Sequence, residues 1–238
     1  MQSAHSHEVH VVAHEYGDSG VLFDFVAESY EQRWSVTQAV GAALRAAPPQ
    51  GFVDLVASYE NLFVSFDPRR TSHEAIVTAI ESLASHDPAS SASRVFEIGV
   101  VYGGEFGPDI DAVAQVCELN SADVIGLHSA APWTIRFVAS PIGAPLMDGS
   151  ALPVSVPRLA TPRSRVEPGS VAVSGKQCVI YNAPSPGGWQ IVGRTPALMF
   201  DLATPPHVLY RAGDQLRLIS IEAGEWEAWR IPPRLVTQ

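Results

Sequence analysis

Residues 52–66 read FVDLVASYENLFVSF, and this stretch decides the architecture of the first part of the chain. Two strand-like runs, Phe52 to Ala57 and Leu62 to Phe66, are joined by the polar Ser58 to Asn61, the pattern of a hairpin. Upstream, GVLFDFV from Gly20 to Val26 is a short β-rich run. It is followed by Glu28 to Ala47, where Val36, Val40 and Leu44 put an apolar stripe on one helical face. Pro48 and Pro49 end that helix, since proline cannot continue it. Downstream, Thr71 and Glu74 offer a capping box to a second helix whose buried face is Ile76, Ile80 and Leu83. The run Val95 to Val101 closes the series and is able to belong to either side of a boundary. The resulting order, β-α-β-β-α-β, is the split βαβ arrangement.

The Ser- and Ala-rich HDPASSASR follows the second helix, and the boundary is placed there, near Ser91. The chain is therefore read as α+β: a ferredoxin-like lobe over 1–90, then a second domain over 91–238. After a helix from Asp109 to Glu118, that domain breaks into short β-rich runs interrupted by Pro and Gly. They are Trp133 to Val138, Ser170 to Val173, Val179 to Tyr181, Trp189 to Val192, Ala197 to Phe200 and Gln215 to Ile221. Close spacing of short strands predicts a small barrel or sandwich.

Composition narrows the function. The chain has 238 residues, enough for a core that needs no metal or disulfide staple, and 17% of them are charged, below the average of about 25%. Fifteen cations against 25 acids give a net charge of −10 with no dense basic cluster, which argues against nucleic acid as a partner. Lys176 is the sole lysine, so the cationic side chains are arginines, suited to fork-like contact with carboxylate or phosphate. Cys117 and Cys178 form neither a metal spacing nor a disulfide framework. With no apolar run near 20 residues and no signal-like start, a cytoplasmic protein away from membranes is expected. His5, His7, His10 and His14 lack the spacing that places two ligands on one helix face, so no metal is expected.

Four features carry candidate chemistry, each with a plainer reading beside it. VYGGEFGPDIDAVA, Val101 to Ala114, sets Glu105 before a Pro-initiated helix; the plainer reading is a tight turn with a solvated acid. PRLATPRSRVEPGSV, Pro157 to Val171, holds Arg158, Arg163 and Arg165 on a proline-stiffened strip able to aim several guanidinium groups at one anion. It reads equally as a guarded edge strand. In PSPGGWQIVGRT, Pro184 to Thr195, Gly187 and Gly188 permit close approach and positive φ, and strand alternation puts Gln190 and Arg194 on a shared face. The alternative there is a barrel strand with polar residues facing water. His128, in VIGLHSAAPW, is a candidate base or a hydrogen-bonded structural histidine.

GGEFGPDIDAVA, the histidine of LHSA, the paired PR strip, and IYNAPSPGGWQIVGRT followed by PPHVLYRAGDQLRL resemble the KipI family, also called allophanate hydrolase subunit 1 or the 5-oxoprolinase B-type subunit. The resemblance runs from about Gly20 to Ile221. It implies a ferredoxin-like lobe and a cyclophilin-like barrel, similar to the subdomains forming half of the carboxyltransferase unit of urea carboxylase. It further implies an ATP-dependent amidohydrolase subunit acting on a cyclic or ureido amide, inactive alone, beside an allophanate hydrolase subunit 2 or 5-oxoprolinase C-type protein. A LamB/YcsF-like subunit is a further implied partner. ATP rests on the resemblance alone, since the chain has no P-loop. On the same pattern Glu105, His128, Gln190 and Arg194 are catalytic candidates, and Arg158, Arg163, Arg165, Gly187 and Gly188 are candidates for substrate or nucleotide binding. The alternatives are a KipI-like inhibitor of a sensor histidine kinase and, less favoured, a prolyl isomerase, because a fold does not carry its function. One segment departs from the family: where a GFxPGFxYL-like loop is usual, Ala139 to Met147 reads ASPIGAPLM, without the aromatic residues expected to line a pocket.

Overall fold

The computed structural model describes residues 9–85, 93–130, 132–140 and 142–237. The chain divides into two compact units, Met1–Ser91 and Ala92–Gln238. Most of the HDPASSASR segment lies outside the described residues, as do His5 and His7.

The first unit runs β1 (His10–Tyr16), β2 (Gly20–Val26), α1 (Tyr30–Ala46), β3 (Phe52–Ala57), β4 (Asn61–Phe66) and α2 (His73–Ala84). Its sheet order is β1-β2-β4-β3 with every neighbouring pair antiparallel, so β2 and β3 run parallel on either side of β4. That is the split βαβ unit, with α1 as the crossover. The expected closing strand is not part of it: β5 (Val95–Tyr102) belongs to the second unit. Beside β2, antiparallel, sits β1 instead, a strand with six of its seven residues exposed and hence little apolar alternation to reveal it.

Helix α1 starts on a capping box in which Ser29 Oγ accepts from the Gln32 amide and Gln32 Oε1 accepts from the Ser29 amide. The cap of α2 is Ser72, one residue after the expected Thr71; its hydroxyl accepts from the Ala75 amide. Val36, Val40, Leu44, Ile76 and Ile80 are buried against Phe23, Leu62 and Val64.

In the second unit β5 is followed by α3 (Ile110–Cys117), α4 (Ser121–Ala130), β6 (Trp133–Ala139), β7 (Ala144–Asp148), β8 (Arg163–Val166), β9 (Ser170–Ser174) and β10 (Gln177–Ile180). Then come β11 (Ser185–Gly187), β12 (Gln190–Arg194), β13 (Gln215–Ser220), a 3₁₀ helix (Ala223–Trp229) and β14 (Arg234–Thr237). The sheet order β12-β9-β10-β7-β6-β13-β5 closes through a β12–β5 pairing into a seven-stranded barrel. Closure removes the sheet edges that would otherwise be open to association. β12 takes the Val101–Tyr102 end of β5, and β14 pairs with the Val95–Glu97 end. Trp133, Ile135, Met147, Ile180, Leu216 and Leu218 fill the interior. The run Ala197 to Phe200, expected as a strand, is irregular chain, while α4, the 3₁₀ helix and β14 were not expected. Among the described residues, no helix is long and apolar enough to cross a membrane.

Candidate functional site

The GGEFG turn positions the first part of the site. Gly103 and Gly104 both have positive φ, 69° and 54°, the left-handed conformation that glycine adopts without strain. Glu105 is exposed on this turn, while a Cβ on Gly107 would lie 2.0 Å from the Val192 carbonyl oxygen, so only glycine lets the chain cross β12 there. The chain then enters α3 at Asp109, which is buried and ties three elements together. Its Oδ2 accepts from the Ile191 amide at 2.7 Å, its Oδ1 accepts from Arg163 Nη2 at 2.7 Å, and its own amide donates to the Ile191 carbonyl.

The proline-stiffened strip lies along the SPGGW segment: β8 pairs with β11, and the Leu159 amide donates to the Gly188 carbonyl. Its guanidinium groups have different direct partners. Arg163 turns to Asp109, Arg165 pairs with Glu167 at 2.7 Å, and Arg158 stacks over the Trp189 ring at 5.8 Å. Hydrogen bonding from Arg165 lowers the Glu167 carboxyl below its ordinary range. Burial pushes the Tyr181 phenol up, against the opposing pull of Arg158 and Arg163. Neither Gly187 nor Gly188 has positive φ. Gly187 is needed for close approach, because a Cβ there would meet the Tyr181 hydroxyl at 2.5 Å; at Gly188 the nearest contact would be an ordinary 3.5 Å.

Gln190 and Arg194 do not share a face. A bulge between Ile191 and Gly193 shifts the register, so Gln190 sits opposite the core residue Val173, and Arg194 opposite Ser170 and Val101 on the outer side. An extra residue in one strand reverses the alternation beyond it. Gln190 donates through Nε2 to the Pro157 carbonyl, while its Oε1 and Arg163 Nη1 are buried without partners among the described residues. Arg194 donates through Nε to the Pro168 carbonyl at 2.8 Å and lies 5.7 Å over the Trp226 ring.

Arg194 is one wall of a half-open pocket of about 630 Å³, lined also by Phe106, Asn182, Phe200, Trp226 and Arg230. Asn182 holds its wall rigid: Nδ2 donates to the Ile142 and Gly143 carbonyls and to the Tyr210 hydroxyl, while Oδ1 is buried without a partner among the described residues. Through these bonds the Ala139 to Met147 hairpin braces the pocket, although none of its described residues lines it.

His128 is elsewhere, on α4, buried against the Tyr102 and Trp133 rings. It shares a 2.9 Å hydrogen bond between Nδ1 and the Tyr102 hydroxyl, and its carbonyl accepts from the Trp133 indole. Burial lowers its imidazole to about 3, keeping it neutral, and raises the Tyr102 phenol. Its Nε2 is buried without a hydrogen-bond partner among the described residues. Sequence reasoning missed Asp109 as a tether, together with Asn182, Trp226 and Arg230. Asp109 carried a signal, an acid directly after Pro108 at a helix start, and Asn182 lay within the IYNAPSPGGWQIVGRT run; Trp226 and Arg230 had none. Among the described residues, no group of three or more metal-ligating side chains occurs.

A closed barrel braced by this strip, preceded by a split βαβ lobe, is the two-part form of carboxyltransferase-type domains. Residues 11–210 match the family described as "Carboxyltransferase domain, subdomain C and D", and the chain belongs to that family. It is 29% identical to the 5-oxoprolinase B subunit of Bacillus subtilis (strain 168), over 91% of this chain and 95% of that protein. It is 34% identical to the 5-oxoprolinase B subunit of Escherichia coli O157:H7, over 76% and 84%. Among solved structures, that of TTHA0988 is 31% identical with a TM-score of 0.75; the match covers 86% of this chain and only 40% of that one. The Kluyveromyces lactis urea amidolyase, 18% identical with a TM-score of 0.75, shares the fold over 96% of this chain and 16% of its own.

Proposed function

We propose that this chain is the B-type subunit of a 5-oxoprolinase or allophanate hydrolase-type amidohydrolase, active only when assembled with a C-type protein and a LamB/YcsF-like subunit. The observation that carries this reading is the match to the 5-oxoprolinase B subunit over 91% of this chain and 95% of the Bacillus relative. The site supports it by what it offers and what it lacks. Opening an unstrained amide needs a nucleophile, a base and stabilisation of the charge that develops. The candidate base His128 is walled in and neutral, and Glu105 stands exposed on a turn, so the catalytic set is completed by other subunits.

ATP is the expected co-substrate of such a reaction. Within the strip, Arg158, Arg163 and Arg165 are each turned to a different partner, and the chain has no P-loop to cradle a triphosphate. ATP is therefore assigned to the partner subunits, and this chain contributes substrate-facing arginine and aromatic surface. Co-expression with the two partner types, followed by measurement of ATP-dependent 5-oxoproline ring opening, tests the reading. Turnover is expected only in the assembly. An assembly that forms and turns over neither 5-oxoproline nor allophanate would overturn it.

A further inference from the structure

The pocket beside β12 reverses the sign of the chain around it. The protein carries 25 acids against 15 cations, yet the pocket is lined by two arginines and, among the described residues, by no Asp or Glu. We propose that it is a binding site for a small planar carboxylate, with Arg194 and Arg230 holding the anion and the Trp226 and Phe106 rings covering its flat face.

Four observations carry this. First, Arg194 is already placed. Its Nε is committed to the Pro168 carbonyl and its guanidinium lies over Trp226, so its terminal nitrogens are held in a fixed plane, and they make no hydrogen bond among the described residues. A planar fork fixed at one edge presents the geometry that accepts two carboxylate oxygens side by side. Second, Arg230 is not neutralised. The acid beside it is Glu227 at 3.8 Å, with the two side chains 60% and 77% exposed, an ion pair that water screens. Third, Phe106 and Trp226 form a tilted ring pair, 5.2 Å between centroids at 36°, which supplies an apolar face beside the cations. Fourth, about 630 Å³ is the size of a small-molecule site, and the Asn182 bonds to Ile142, Gly143 and Tyr210 stiffen its floor.

Four ligands test the proposal on the full chain, by calorimetric titration and tryptophan fluorescence: benzoate, 5-oxoproline, the uncharged lactam 2-pyrrolidinone, and inorganic phosphate. Including 5-oxoproline rests on the function proposed above; the carboxylate reading does not. Benzoate and 5-oxoproline are expected to bind and 2-pyrrolidinone to fail. Arg194→Gln and Arg230→Gln should each weaken benzoate at least tenfold with the melting midpoint unchanged, and Arg194→Lys should weaken it too, since charge without the fork is insufficient. Trp226→Leu should weaken benzoate and remove its fluorescence response. No binding of either carboxylate, binding unaffected by both arginine changes, or phosphate binding as tightly as benzoate would overturn the proposal. If benzoate binds through Arg194 and 5-oxoproline does not, the pocket assignment holds and the 5-oxoproline assignment falls. If the assembled enzyme turns over 5-oxoproline while this pocket binds no carboxylate, the pocket assignment falls alone.

Discussion

Burial holds the His128 imidazole at about 3, well below its ordinary 6.5, because the charged form loses its hydration there. The unfolded chain therefore takes up a proton near pH 6.5, and the folded chain does not until about pH 3. With the unfolded state binding more protons across that window, stability is full above 6.5, falls as pH drops, and stops falling near 3. One such group costs about 1.4 kcal/mol per pH unit within the window. His128→Gln should flatten the dependence between pH 6.5 and 5, measured by denaturant unfolding of both proteins; equal slopes would show that His128 becomes protonated in the folded state. At this scale the sequence was legible in part. The arginines of the strip and the glycines of the turn stood out from their neighbours. Where each guanidinium points did not, because it depends on Asp109, Glu167 and Trp189, residues scattered over some 80 positions of sequence and joined only by folding.

Elements whose apolar residues follow one period were readable, and the exceptions have identifiable causes. Helix α4 has no apolar stripe of helical period, so Val124, Ile125 and Leu127 read as a short run. The strand β1 lies at a sheet edge with six of its seven residues exposed, so its Val and Tyr residues do not alternate with a buried face. The bulge in β12 is marked in IVGRT only by Gly193, and it sends Arg194 to the outer surface and separates it from Gln190. The junction of α3, β8 and β12 rests on Asp109, which makes its weakness predictable. Asp109→Ala would orphan the Ile191 amide and leave Arg163, already carrying one unpartnered buried nitrogen, without its acid. A loss of about 2 to 4 kcal/mol is expected, from an unmet buried donor and a broken charge-assisted bond. Asp109→Asn keeps an oxygen for Ile191 and should lose less. Equal stabilities for the two variants by chemical denaturation would show that the ion pair, and not the backbone bond, is what the junction depends on.

Each unit has a core made only of its own residues: one draws on positions from Val21 to Ala84, the other on positions from Phe96 to Leu218. The polar HDPASSASR lies between two apolar patterns, and the close spacing of short strands pointed to a small barrel or sandwich; which strands close it was not legible, because closure depends on two residue pairs between β5 and β12. Burial that is local to a unit makes a substitution local in effect. Leu62 and Ile135 are both fully buried, one in each core. Leu62→Ala and Ile135→Ala should each cost about 2 to 5 kcal/mol through lost contacts and the cavity left behind. Native-state hydrogen exchange would locate the cost. Leu62→Ala is expected to raise exchange across β2, β4 and the two helices of the first unit while the barrel strands keep their protection, and Ile135→Ala should do the reverse. Loss of protection across both units from either single change would mean that the chain unfolds as one cooperative body, and that pocket binding by the second unit cannot be treated as independent of the first. Under the expected outcome, Leu62→Ala should leave benzoate affinity in the Arg194 pocket unchanged, because every residue lining that pocket lies in the second unit.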